Sequence, residues 1–456
     1  MVNPELIGAL RQHLQSVVLT PDSPAYAAGR RVWNAAIDRR PAAIVLCAHA
    51  EDVALAVRMA ADHGARVTIR AGGHNVAGRA VADGALLLDL SRMRSVAVNA
   101  PAQVAIAQGG ALWHDLDVAA SAHGLATTGG LVSGTGVGGL TLGGGSGWLM
   151  RRHGLAIDNL DAAGVVLADG RFVRVTAEEH DDLFWALRGG AGGLGVVTSF
   201  ELKLHPLRQV LAGLVIHPAS EAPRALRAFR DFSAAAPDEF CGMAVLAHAP
   251  TLPFLDPAWY GRPVVLFAVC WCGDLAAGER SLAPLRRFGA PLVDHVGPMP
   301  YVVWQHMQDP GAPLGRRHYW KTVSFAQLSD AVVDTLSDAG NDLPTRMTEI
   351  HLQHLGGAVA RVPAGDTAFA DRDAAFFVNL IGCTPWDEEF PGLRARVRAL
   401  HDAIAAHGLP SRLPNFSNAE DGDVTATFES SKAARLAAIR CRYDRAGLFA
   451  RGPGDC

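Results

Sequence analysis

The chain has 456 residues, 49% hydrophobic and 19% charged, enough to bury sizeable cores in two or three domains. A net charge of -4 with no long basic or acidic run excludes nucleic acid and an anionic membrane surface as partners, and no apolar run reaches the ~18 residues of a membrane span. The start, MVNPELIGALRQHLQSVV, lacks the basic-then-apolar layout of a secretion signal, so a cytoplasmic location is expected.

In chain order, AAIVLCA (42–48) reads as a buried strand, EDVALAVRMAADHG (51–64) as a helix with an apolar stripe, and RVTIRAG (66–72) as the next strand. RAGGHN (70–75) follows from that strand. Its two glycines let the main chain approach a flat or phosphorylated ligand and set His74 against it; a tight turn carrying a surface histidine is the plain alternative. Further strands are expected at ALLLDLS, QVAIAQGG, DAAGVVLADG and GVVTSFELKL, with the acidic helix AEEHDDLFWALRG between the last two.

Residues 129–147, GGLVSGTGVGGLTLGGGSG, hold ten glycines, and RGGAGGLGVVTSF (188–200) is a second cluster. Amides freed of side chains converge on phosphate oxygens, which makes a pyrophosphate cradle the chemical reading and a set of bulges and turns the structural one. Gly134, Gly136 and Gly139 also spell a dinucleotide fingerprint with Asp158 as its ribose acid. The glycines continue to Gly147, however, and leave no clear helix start where that motif needs one.

After Pro206 the strands lengthen: VLAGLVIHP, GMAVLAHAP, PVVLFAVCWCGD and AAFFVNLIGC, separated by helices such as APRALRAFRDFSAAA and FPGLRARVRALHDAIAAHG. A second α+β domain fits, an antiparallel sheet with helices on one face. In EIHLQ (349–353) strand alternation puts Glu349, His351 and Gln353 on one face, where a carboxylate or imidazole could serve as a base. SSKAARLAAIRCRYD (430–444) is a basic amphipathic helix. Seven scattered cysteines are expected as free thiols, and the Cys270-x-Cys272 pair alone is weak evidence for a metal; none is expected.

RAGGHN, GVGGLTLGGGSGWLMRRHGLAIDNL (136–160), DLFWALRGGAGGLGVVTSFEL (182–202) and RLAAIRCRYDRAGLF (435–449) resemble the FAD-linked oxidases of the berberine bridge enzyme group, within the vanillyl-alcohol oxidase superfamily. The resemblance covers nearly the whole chain. LGGAVARVP (355–363) is most like bacterial members that tailor polyketides and other secondary metabolites, as in the enterocin pathway. The implied fold is α+β: an FAD-binding module of two α/β subdomains (1–206, with 415–456 returning to it) and a substrate domain (207–414) built on an antiparallel sheet covered by helices.

The resemblance implies FAD joined through its 8α-methyl to His74. Cofactor contacts are implied for Arg70, Ala71, Gly72, Gly73, His74, Asn75 and Gly78. In the long glycine run they are implied for Gly134, Thr135, Gly136, Gly138, Gly139, Gly143, Gly144, Gly145 and Gly147, and beyond it for Gly195, Val196, Val197 and Asn415. Many relatives add a cysteinyl link at the position of Val132, which predicts a single tether here. Thr135 falls where relatives control oxygen access.

His351 is the first candidate base and Glu349 the second; Tyr319 and Lys321, in a run resembling the relatives' Y-W-K, are further catalytic candidates. Phe416 replaces the tyrosine of the relatives' N-Y pair, and the tail YDRAGLFARGPGDC retains Tyr443, Asp444 and Phe449 but lacks their asparagines. The implied activity is hydride removal from a C–H bond of a small-molecule alcohol or polyketide-like metabolite, with O2 as acceptor, by a monomer or homodimer. Oxygen transfer to such a substrate and a non-redox flavin-bound scaffold are the alternatives.

Overall fold

Short β-branched runs set the first two sheets. The computed structural model describes residues 2–409, 413–418, 420 and 429–449. Strands β1 (Val17–Leu19), β2 (Ala43–Leu46), β3 (Val67–Arg70) and β4 (Leu86–Asp89) pair in the order β1-β2-β4-β3, parallel except for β1. Parallel neighbours need a crossover, and the helix Ala50–Asp62 supplies it. Its apolar stripe of Val53, Ala56, Val57 and Ala60 is buried against Val45, Val67 and Leu88.

Strands β5 (Val96–Asn99) and β6 (Val104–Gln108) precede a two-residue β7 (Leu125–Ala126), and β8 (Leu160–Val166), β9 (Phe172–Val175) and β10 (Val196–Lys203) follow. They form an antiparallel sheet of order β5-β6-β10-β8-β9, while β7 pairs with β11 (His205–Pro206).

The long apolar runs after Pro206 become one seven-stranded antiparallel sheet. Its strands are β12 (Gln209–Pro218), β13 (Phe240–His248), β14 (Pro263–Trp271), β15 (Val293–Pro300), β16 (Arg317–Phe325), β17 (Glu349–His354) and β18 (Phe376–Thr384), in the order β15-β12-β14-β13-β17-β18-β16. One face, with Phe267, Ile350, Leu352, Val378 and Leu380, packs on the helices Ala222–Ala235, Leu275–Arg286, Asp330–Asn341 and Phe390–Ala405. The other receives the segment after the glycine run, where Trp148, Leu149 and Met150 pack near Leu214, Met243 and Val245. Helices on one side of the sheet therefore leave its second face to meet the glycine-rich loops.

The helix Ser430–Tyr443 places Leu436 and Ile439 in the core of Trp185 and Leu194, and Leu448 accepts a hydrogen bond from the Val67 amide at 3.0 Å. Tyr443 donates to Asp182 at 2.8 Å, and Asp444 accepts from the amides of Leu448 and Phe449. These retained tail residues hold the chain end in place; residues 450–456, the rest of the divergent tail, lie outside the described residues. Cys47, Cys241, Cys270, Cys272 and Cys383 are buried free thiols. Cys441 corrects the expectation of free thiols: it is disulfide-bonded, at a half-buried position of the helix Ser430–Tyr443. Cys456 lies outside the described residues. Among the described residues no helix is long and apolar enough to cross a membrane.

Candidate active site

Strand β3 ends where the glycines of RAGGHN meet the long glycine run. A β-carbon on Gly72 would stand 2.4 Å from the Gly136 nitrogen, so two main chains touch where any side chain would collide. Gly73 turns with φ +66°, and its carbonyl accepts a hydrogen bond from the Trp33 amide at 3.1 Å. This delivers His74 to the wall of a cavity of about 1180 Å³, above the ~300–1,000 Å³ of an ordinary small-molecule site and large enough for a dinucleotide with a substrate beside it.

His74 is no surface-turn histidine. Its ring stacks on Trp33 at 4.7 Å and 20°, and Trp33 stacks in turn on His318 at 3.8 Å and 21°. Burial lowers the His74 pKa to about 4, which keeps the imidazole neutral and nucleophilic at pH 7. Asn34 ties this stack together: its amide donates to the carbonyls of Val76 and His318 and accepts from the His318 amide. One residue thus joins the loop after His74 to strand β16.

Of the residues assigned to the cofactor, Ala71, Gly72, Gly73, His74, Asn75, Thr135, Gly136, Gly138, Gly139, Gly143, Gly195, Val197 and Asn415 line the cavity, as does Val132. Asn415 also splints the loop, accepting from the Gly145 amide at 3.0 Å and donating to the Leu140 carbonyl at 3.1 Å. The others stand off the cavity wall. Arg70 pairs with Asp89 at 2.5 Å and donates to the Arg31 carbonyl, because its strand position points it across the sheet. Gly78, Gly144 and Gly145 serve left-handed turns at φ +63°, +121° and +80°, and a β-carbon on Gly147 would overlap the Gly129 carbonyl. Val196 is core, and Gly134 borders the His74 ring, 3.7 Å from where its β-carbon would be.

The fingerprint reading fails for a reason the sequence hid. A helix does start after Gly136, Val137–Leu142, contrary to expectation. Asp158, however, is taken: both its oxygens receive the buried guanidinium of Arg372, at 2.7 and 2.8 Å, and one also caps the Leu155 amide.

Across the cavity lies the open face of the seven-stranded sheet. Glu349, His351 and Gln353 of β17 line it together with Asn379 and Ile381 of β18 and His318 and Trp320 of β16. His351 is 7% exposed, and its Nε2 lies 2.7 Å from Glu349 Oε2. Tyr319 and Lys321 do not line the cavity. Strand alternation turns them to the helix-covered face, where Tyr319 donates to Glu420 and accepts from Arg398, so neither is placed to do chemistry here. Their neighbours His318 and Trp320 take the cavity-facing positions that the sequence reading gave to Tyr319 and Lys321; the alternation separates the two pairs but does not say which faces the cavity. Trp33 carried no signal in its local sequence. Asn379, the lone polar residue of AAFFVNLIGC, did.

The walls fit a large oxygen-rich ligand. Thr68 Oγ1 and Ser146 Oγ are buried cavity-wall hydroxyls without partners among the described residues, and the Gly72–Gly136 contact leaves main chain, not side chains, facing inward.

Residues 41–176 match the FAD binding domain family. The chain is 30% identical over 455 residues to (R)-6-hydroxynicotine oxidase of Paenarthrobacter nicotinovorans, covering 96% of this chain and 95% of that one. Among solved structures it resembles 6-hydroxy-D-nicotine oxidase from Arthrobacter nicotinovorans, with 28% identity, 98% of both chains covered and a TM-score of 0.82. It also resembles glucooligosaccharide oxidase from Acremonium strictum, with 24% identity, 97% of both chains covered and a TM-score of 0.83.

Proposed function

The chain belongs to the FAD-linked oxidoreductases of the vanillyl-alcohol oxidase and berberine bridge enzyme type, and from that premise we propose that it is an oxidase removing hydride from a C–H bond of a small-molecule alcohol or polyketide-like metabolite. One observation carries this reading: a single cavity sets a neutral, glycine-framed His74 on one wall and the His351–Glu349 pair on the wall formed by the substrate sheet.

FAD, when bound, would supply the two-electron acceptor, with O2 as the final oxidant reduced to hydrogen peroxide. The protein's part is binding and proton handling. Main chain at Gly72, Gly73 and Gly136 would hold the diphosphate, and His74 would be the one covalent anchor. The glucooligosaccharide oxidase structure is described with a 6-S-cysteinyl, 8α-N1-histidyl FAD. Here Val132 on the cavity wall supplies no thiol, which supports a histidyl link alone. His351 donates its Nε2–H to Glu349 and takes the hydroxyl proton at its other ring nitrogen, Nδ1, while Glu349 fixes the ring and balances the imidazolium charge.

Acid precipitation tests the anchor. Yellow colour retained in the wild-type pellet and lost in His74→Ala is the expected result; colour retained in the variant would show another attachment. Peroxide released in step with product distinguishes the oxidase from an oxygenase, which would carry labelled oxygen into the product.

A further inference from the structure

The open face of the substrate sheet is divided into two halves. Leu214, Val245, Leu266 and Ala268, from β12, β13 and β14, form an apolar floor. Glu349, His351, Gln353 and Asn379 form a polar one. His351 and Glu349 satisfy each other, but the remaining two do not. Gln353 is 3% exposed and Asn379 1%, and Gln353 Nε2 and Asn379 Oδ1 have no hydrogen-bond partner among the described residues.

A buried amide left without a partner is destabilising, and leucine or methionine could occupy either strand position without that cost. Strand register relates them. His351 pairs with Asn379 and Gln353 with Phe377, which makes Gln353 and Asn379 diagonal neighbours on one face, within joint reach of a small group. One presents a donor and the other an acceptor.

We propose that Gln353 and Asn379 recognise a substrate whose ring bears a hydrogen-bond acceptor and a donor on neighbouring atoms, its apolar remainder lying on Leu214, Val245, Leu266 and Ala268. This rests on the reading of the cavity as the substrate site of an oxidase. The substrate class is a compact, mostly apolar cyclic amide, hydroxy ketone or similar. An oligosaccharide, with hydroxyls on every side, would bury them unpaired against the four aliphatic residues. The two amides are specificity residues: they select which molecule is held at His351.

The test uses the holoenzyme and three probes: δ-valerolactam, its N-methyl derivative and cellobiose, each titrated by calorimetry and by perturbation of the flavin spectrum. The lactam should bind at least about tenfold more tightly than the N-methyl compound, because methylation removes the donor and leaves Asn379 unpaired, and cellobiose should bind most weakly. In Asn379→Leu the preference between the two lactams should collapse, whereas in Gln353→Met both lactams should bind more weakly and the preference should remain. Both variants should keep or raise the melting temperature, since each removes an unpaired buried polar group. Equal binding of the two lactams, no binding of either, tighter binding of cellobiose, or variants that lose stability would overturn the proposal. Protein purified without flavin would instead defeat the oxidase reading, and calorimetry would still report on the amide pair.

Discussion

Gly72 and Gly136 touch main chain to main chain, each so placed that a β-carbon would stand 2.4 Å from the other's amide nitrogen. The contact joins the loop that carries His74 to the loop that carries Thr135. Neither glycine has a positive φ, so the requirement is one of space alone.

Gly136→Ala is therefore expected to destabilise the protein by about 1–3 kcal/mol or more, because the colliding atoms are backbone and cannot rotate away. FAD content should fall with it. Gly8→Ala is the matched control: it sits in the helix Pro4–His13 with nothing within 4 Å of its β-carbon, and should gain about 0.5–1 kcal/mol. Thermal melts and flavin absorbance per chain read both; equal melting of Gly136→Ala and wild type would contradict the close approach.

A strand-face experiment separates His318 and Trp320 from Tyr319 and Lys321. Tyr319→Phe removes a hydroxyl held by Glu420 and Arg398 on the helix side and should cost about 1 kcal/mol while leaving kcat/KM within about twofold. Trp320→Leu removes an indole that stacks with Phe416 at 6.1 Å on the cavity wall, and should raise KM about tenfold. The reverse ordering in steady-state kinetics would mean that the wrong face was assigned.

These contrasts mark what the chain discloses by itself. Periodicity exposes the β-α-β opening, the helix-backed antiparallel sheet and the shared face of Glu349, His351 and Gln353, because burial imposes a repeat that residue types record. Glycine density marks the cradle for the same reason: an absent side chain is visible. Pairings between distant segments leave no such trace. Nothing near Trp33 announces that it lies between His74 and His318, and nothing near Asp158 reveals an arginine more than two hundred positions on. Within HYWK, the period was legible but its phase was not, since that depends on which side the helices cover.

Asp117 gives a pH dependence with a definite sign. Burial raises its carboxyl to about 8, against an opposing pull from nearby Gln305. A carboxyl whose folded pKa lies above its unfolded one contributes stability at low pH and loses it as pH rises from about 3.8 through 8. Asp117→Asn is neutral throughout. It should match wild type near pH 4 and melt progressively higher than wild type toward pH 9, by about 3 °C or more at the top. A gap that is constant with pH would show that the carboxyl is not the titrating group.

The histidines drive the opposite limb. His74 is lowered to about 4 and His318, His153 and His354 to about 3, each mainly by burial. The unfolded chain takes up these protons below about 6.5 and the folded chain does not, so stability is lost as pH falls from 6.5 toward 3. Unfolding followed by tryptophan fluorescence should show wild type melting lower at pH 4.5 than at pH 7. His354→Gln should reduce that difference: its ring, beside Arg151 at 2.9 Å, is replaced by a group that cannot be protonated. An unchanged acid limb in the variant would place the loss elsewhere.

Asp158 and Arg372 test the discarded dinucleotide-fingerprint reading most directly. Their side chains are 7% and 2% exposed and joined by two hydrogen bonds, and Arg372 also donates to Thr367 at 3.0 Å and to the Val359 carbonyl at 3.2 Å. Removing one partner strands a buried charge, which costs about 3–5 kcal/mol. Asp158→Asn should therefore lower stability sharply while leaving the flavin spectrum of the surviving folded protein intact. Asp158→Asn combined with Arg372→Met, which removes both charges, should recover part of the loss. A ribose-binding acid would behave otherwise: its loss would spare stability and abolish dinucleotide binding, so a fully stable Asp158→Asn would reopen that reading.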